Sequence, residues 1–261
     1  MNSELSYAHN SANVEPERGP RNLISRLAGV WFSPGETFVE IGRVPRALIP
    51  TLLLIALVAA SNYLLIERYG YERYVKETIA EMVNAGYLAP DMAGEAIQQS
   101  MAPNVVAGGK FQSCAIPAIS ILISALIMST FFRILSVIKG TQCAFKQIYS
   151  VTAYAFLAVS SVHTAVLLLS IYLKDPIDLD LYNPVASNLG ALAPMMVDGL
   201  PKFVVRLLSY VDVFVVWRLI ILAIGYGAIM RKMKTGVAAG LLVVLHIIAA
   251  VIVAAIASYF D

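Results

Sequence analysis

Charge is scarce in this chain: only 14% of its 261 residues are Asp, Glu, Lys or Arg, against roughly a quarter in soluble domains. With 59% hydrophobic residues and a mean hydropathy of +0.73, so much apolar surface does not fit one water-soluble core. The solvent for most of the chain is therefore expected to be lipid. A formal net charge of +2 argues against the dense basic face of a nucleic-acid-binding protein, and no nucleic-acid partner is expected. Cysteine is nearly absent. Cys114 and Cys143 flank one apolar segment, too far apart for a disulfide, and read as small core residues. There is no H-E-x-x-H, no G-x-S-x-G and no Cys/His cluster at metal spacing, which leaves no catalytic residue, metal site or cofactor to assign. No cleavable signal is expected either, since the first forty residues read as polar and then amphipathic.

What the chain does have is long uncharged runs. A helix needs about twenty apolar residues to cross a bilayer core, and five stretches meet this, near 47–66, 115–138, 151–173, 207–230 and 237–260. The predicted fold is all-α, a polytopic membrane protein with five transmembrane helices over 47–260. Lys and Arg flanking the spans are retained on the cytoplasmic side. Arg18, Arg21, Arg26, Arg43 and Arg46, then Lys139 and Lys146, then Arg231, Lys232 and Lys234 mark three cytoplasmic regions. The opposite connections carry Glu67, Glu72, Glu77 and Glu81, and later Asp175, Asp178 and Asp180. The predicted topology is N-in, C-out.

Residues 1–20 are polar without apolar period and read as a disordered tail. Residues 21–46 read as an interfacial, amphipathic elbow parallel to the membrane surface. Its first helix carries Leu23, Ile24, Leu27, Val30 and Trp31 at helical spacing. Its second starts at Ser33-Pro34-Gly35-Glu36, with serine as N-cap, proline at the first position and glutamate three residues after the cap. The outer segment 67–112 is too long for a plain loop. Tyr71, Tyr74, Val75, Ile79 and Met82 repeat like one helix face, Ala89–Met101 suggests a second helix, and Gly108-Gly109 a hinge. The second outer connection, 175–201, is rich in Asp, Asn, Pro and Gly and reads as irregular.

Trp31-Phe32-Ser33-Pro34, followed by Thr37-Phe38 and a proline-led first span, resembles the start of the YIP domain family, five-span membrane proteins named for interaction with Ypt/Rab GTPases. Asp212-Val213-Phe214-Val215-Val216-Trp217, with Leu222 and Ile224-Gly225, is similar to that family's fourth-span motif. Lys146-Gln147 with Tyr149 and Tyr154 resembles the start of its third span. The family-motif positions are thus Pro34, Thr37, Phe38, Asp212, Phe214, Trp217 and Gly225. The resemblance implies a non-enzymatic integral membrane protein that organises membrane or binds partners. Eukaryotic members bind prenylated Rab GTPases in early secretory membranes, whereas bacterial members lack that machinery. The short tail and long outer segment resemble the bacterial branch, which implies the bacterial cytoplasmic (inner) membrane, with the lipid bilayer and a membrane-protein partner or homo-oligomer as contacts.

Intramembrane charge marks function or a lock. Arg218 falls near the middle of the fourth span, where a guanidinium costs roughly 2.5 to 3.5 kcal/mol on insertion scales. His163 and His246 fall at similar depth in the third and fifth spans. Arg218, His163 and His246 are therefore predicted to form one polar cluster, with Ser124, Ser160, Ser161 and Thr164 as partners. Such a cluster serves as a proton, anion or lipid-headgroup site in a transporter, channel or lipid-translocating protein, or else each group is satisfied locally and locks the bundle. Asp212, six residues from Arg218, is expected nearer the outer surface, organising helix ends. Gly236 and Gly240 form a G-x-x-x-G suited to close helix packing.

Overall fold

The computed structural model describes residues 22–259 apart from 85, 182 and 198; the predicted tail 1–20 lies outside the described residues. Two short helices open it, α1 (Leu23–Phe32) and α2 (Pro34–Arg43), followed by the apolar α3 (Leu48–Tyr69). Beyond α3 come α4 (Tyr71–Asn84) and α5 (Ala93–Ser100), then α6 (Pro103–Ile138) and α7 (Phe145–Leu173). The chain ends with α8 (Leu189–Met196), α9 (Lys202–Ser209), α10 (Val213–Ile229) and α11 (Thr235–Tyr259). No strand occurs among the described residues. Four helices, α3, α6, α7 and α11, are long and apolar enough to cross a membrane, and α10 is a shorter apolar helix of 17 residues.

The bundle has one end rich in basic residues, holding Arg43, Lys139, Lys146, Arg231, Lys232 and Lys234, and an opposite end rich in acids. α3 and α7 run in the same direction: Thr51 meets Tyr149 at 3.1 Å, and Arg68 donates to the Ile171 carbonyl at 3.2 Å. α6 and α10 run against them. Towards the basic end, fully buried Thr152 shares its hydroxyl with Ser129 (2.9 Å) and Tyr226 (2.8 Å), joining α6, α7 and α10, while Phe132 stacks on Tyr226 at 3.9 Å. Such interhelical bonds are worth about 0.6 kcal/mol each in lipid. A second, smaller core of Leu65, Tyr69, Leu167, Ile171 and Leu179 closes the acidic end.

α10 begins later than the hydropathy run implies. The predicted span 207–230 is interrupted at Tyr210–Asp212, where the backbone of Asp212 is extended and pairs as an isolated bridge with Asn188. Leu189 N–H donates to Val211 O (3.0 Å) and Val213 N–H to Ser187 O (3.2 Å). Asp212 is the N-cap, its carboxylate accepting from Phe214 N–H (2.8 Å) and Val215 N–H (3.1 Å). An aspartate satisfies the orphan donors of a new helix better than it continues an old one. The connection 175–201, read as irregular, contains α8, capped by Asn188.

α6 also departs from the reading. It starts at Pro103, with proline at its first position, and continues unbroken to Ile138, so the last part of the outer segment 67–112 is already helical and Gly108-Gly109 does not interrupt the helix. Gly109 is needed for a close approach: a Cβ there would stand 1.9 Å from the Tyr71 hydroxyl of α4. Lys110 of α6 pairs with Glu67 of α3 at 2.5 Å. Arg73 ties α4 down, donating to Pro176 O at 2.7 Å and lying over the Tyr69 ring at 4.2 Å.

The N-terminal elbow has its predicted helices in an unpredicted position. It runs along the bundle and not flat across one end. α2 follows α10 turn for turn: a Cβ on Gly42 would stand 2.7 Å from Ile229, and one on Gly225 would stand 3.2 Å from Phe38. Gln147, near the start of α7, donates to Gly42 O at 2.8 Å, whereas Trp31 Nε1 donates to Ala158 O at 3.0 Å. Those two anchor points on α7 are about 16 Å apart along the helix axis. The turn at Phe32–Ser33 thus sits beside the middle of α7. Ser33 makes no side-chain cap, contrary to expectation; its backbone N–H instead closes α1 on Gly29 O (2.8 Å), and its carbonyl accepts from Thr37 N–H (3.2 Å). Amphipathic period reveals which face is apolar but not whether protein or lipid covers it, and here Val30, Thr37, Phe38 and Ile41 are fully covered by protein.

Candidate functional site

The cavity that gathers the predicted polar groups lies between α3, α6, α7 and α10. It has a volume of about 350 Å³. Ser61 and Asn62 line it from α3, Pro117 and Ile121 from α6, Ser160, His163 and Thr164 from α7, and Asp212, Phe214 and Arg218 from α10, with Leu181 and Pro184 contributed by the connection between α7 and α8. α10 carries Asp212 at its start and Arg218 about 9 Å further in. The start of α10 lies beside His163, and Asp212, its N-cap, lines the same cavity. Phe214 meets the His163 ring edge-on, centroids 4.9 Å apart.

Two of the three predicted cluster members are therefore together. His246 is elsewhere: its Nε2 lies 2.9 Å from the Tyr210 carbonyl and it does not line the cavity. The cause is the break before α10, which leaves the Tyr210 carbonyl without a helical donor and turns it toward α11. Of the serines and threonine expected around the cluster, Ser160 and Thr164 line the cavity. Ser161 bonds back to Ala158 O (2.9 Å) and Ser124 to Ser120 O (2.8 Å) on their own helices.

The electrostatics of the cavity are uneven. Asp212 spends its carboxylate on the two N–H groups of α10 and on the Ser187 hydroxyl. Arg218 makes no hydrogen bond or ion pair among the described residues. Its guanidinium lies over the Phe156 ring, 4.9 Å from the centroid, which covers one face and leaves the N–H edge free. The deep part of the cavity therefore holds a guanidinium with no direct partner beside an imidazole, and the Asp212 carboxylate of the same cavity acts on it only through space.

The motif positions divide by role. Pro34 opens α2; Thr37 and Phe38 are buried against the bundle; Trp217 packs partly buried on the main core. Gly225 is a close approach of α10 to α7, since a Cβ there would stand 2.5 Å from Val151 Cγ1. Gly236 and Gly240 are different. Both are exposed, and a Cβ on either would meet nothing within 4 Å, so they pack no helix within the described chain.

One charged site was missed by the sequence reading. Arg26, taken for an interfacial cation, is fully buried under the elbow. Its Nε pairs with Glu40 at 3.3 Å, its Nη1 donates to Val44 O at 3.0 Å, and Nη2 is left without a partner above Tyr154. Its spacing of fourteen residues from Glu40, on a helix hairpin, is the signal that could have found it.

Comparison with known proteins gives one match: the family model described as the Yip1 domain covers residues 28–257. No curated protein and no solved structure matches the chain.

Proposed function

Because the chain belongs to the Yip1 domain family and is a multi-pass integral membrane protein, we propose that it is a non-enzymatic organiser of its bilayer that acts through the α1–α2 hairpin. α10 is the remaining crossing helix of a five-span bundle, since about 17 residues suffice at the short limit. The basic end faces the cytoplasm, and the membrane is the bacterial cytoplasmic one. The observation that carries this reading is the position of the hairpin turn, beside the middle of α7 and about half a bilayer core from Gln147. Ile24 and Phe32 point outward at 77% and 84% exposure, as suits a lipid-facing wedge. Two helices then enter the leaflet at the basic end, while the α8–α9 pair packs on α11 towards the acidic end. The closed turn at Ser33 leaves little unsatisfied backbone, which is the condition for a half-crossing in hydrocarbon. A nitroxide on Phe32→Cys should read as close to the bilayer centre, and wild-type protein should narrow reconstituted vesicles as its density rises. A water-exposed label, or vesicles of unchanged diameter, would overturn the reading. Membrane-protein partners or a second copy would meet the hairpin or the α4–α5 segment.

A second reading is favoured by a separate observation, the shared cavity of Arg218, His163 and Asp212. It supports a transporter, channel or lipid-translocating role in which His246 has no part. Proton, ion and labelled-lipid flux in proteoliposomes tests it: flux that vanishes in folded Arg218→Leu supports transport, and no flux in wild type rejects it.

A further inference from the structure

Arg218 offers five N–H donors in a planar fork and has no acceptor among the described residues. The carboxylate in its cavity, that of Asp212, accepts from Phe214 N–H, Val215 N–H and the Ser187 hydroxyl and makes no direct bond to the guanidinium. A guanidinium held this way in an apolar surround is costly unless an oxyanion meets it. Its surroundings suit one. Phe156 fixes the guanidinium plane from one face, while His163 and the hydroxyls of Ser160 and Thr164 line the same space from α7, none of the three hydrogen-bonded to a described residue. Asn62, on the opposite wall, spends one amide hydrogen on Val58 O (2.8 Å) and keeps the other. About 350 Å³ is ample for a phosphate group with part of a headgroup.

We infer that this cavity binds a phosphate, held bidentately by Arg218 and hydrogen-bonded by His163, Ser160, Thr164 and Asn62. The bidentate fork is the geometry in which Arg surpasses Lys for phosphate. The phosphate belongs either to a lipid headgroup or to a soluble molecule, the chemistry of the site being common to both. The inference rests on the same cavity as the transport reading but requires no flux, so binding without flux would reject transport and keep the site.

The test uses the full chain in detergent, with inorganic phosphate, short-chain phosphatidic acid and the matching diacylglycerol as probes. Phosphatidic acid should raise Tm by several degrees at saturation, diacylglycerol should not, and Arg218→Gln should abolish the rise. Arg218→Lys should weaken it about ten-fold. A rise with inorganic phosphate as well assigns a soluble ligand, and a rise with the lipid alone assigns a headgroup. Should Arg218→Gln fail to fold, Ser160→Cys in the wild-type background decides: the stabilising probe should slow its maleimide labelling several-fold. No shift with either phosphate probe, a shift equal with diacylglycerol, a shift undiminished in folded Arg218→Gln, or unprotected Cys at 160 would each overturn the site.

Discussion

Replacing Gly225 with alanine should destabilise the bundle although alanine is the better helix former. Alanine in a helix interior gains about 1 kcal/mol over glycine, so a position with free space should profit from the change. At Gly225 the new Cβ would stand 2.5 Å from Val151 Cγ1 and 3.2 Å from Phe38. Both neighbours are fully buried, so neither can swing aside. Overpacking of this kind costs about 1–3 kcal/mol, leaving a net loss of about 1 kcal/mol, or a Tm lower by roughly 2–4 °C in a chain of this size. Val151→Ala removes the offending methyl and by itself costs about 2 kcal/mol as a cavity. The double variant should be more stable than the sum of the singles predicts, by about 1 kcal/mol. Gly236→Ala is the matched control: its Cβ meets nothing within 4 Å, so it should hold or raise Tm. Thermal unfolding in dodecylmaltoside measures all four. Strict additivity, or a Gly225→Ala protein as stable as Gly236→Ala, would refute the close approach of α10 to α7 and α2.

Other perturbations have equally defined outcomes. Tyr226→Phe should cost about 0.6 kcal/mol and at most ~1.7, because Thr152 keeps its bond to Ser129; a larger loss in chemical denaturation would mean the hydroxyl network is cooperative. Arg26→Leu should cost roughly 1–3 kcal/mol by removing the donors to Glu40 and Val44 O, and adding Glu40→Leu should recover part of it, read by the same melts. Asp212→Ala should lose about 1 kcal/mol of helix capping, with Asp212→Asn close to wild type. Maleimide should label Cys at Ser100 and Ser187 from outside and Cys at Lys234 from inside in cells; a reversal breaks the topology.

Much of the helical order was legible because hydropathy reports solvent. The run from Ala47 led to α3, and Ile138 and Leu173, the predicted ends of two spans, are also the last residues of α6 and α7. Hydropathy could not see the break at Tyr210–Asp212, since Leu207, Leu208 and Val211 are as apolar as the first turn of α10. The local signal was Asp212 itself, a good N-cap directly ahead of an apolar run. The same blindness merged His246 into a cluster with Arg218 and His163. Counting residues gives depth on one unbroken helix, and α10 begins afresh. Nor did Pro103 register as a helix start, because Gly108-Gly109 drew attention to a hinge that close packing against Tyr71 explains instead. For α1 and α2 the starts, stops and apolar faces were readable, but not the surfaces those faces touch. That depends on Gln147, Ala158 and Gly225, more than a hundred residues away.

The uninterrupted length of α6 has a mechanical consequence. Its 36 residues form a rod of about 54 Å, against a hydrocarbon core of roughly 30 Å. One end is bolted to α7 and α10 through Ser129, and the other bears on α4 through Gly109 and Tyr71. Pro117 deletes one backbone hydrogen bond from this rod and is the softest joint along it. That joint forms part of the wall beside Arg218 and His163. A load applied to α4 or α5 therefore acts as torque on a lever whose fulcrum is the cavity itself.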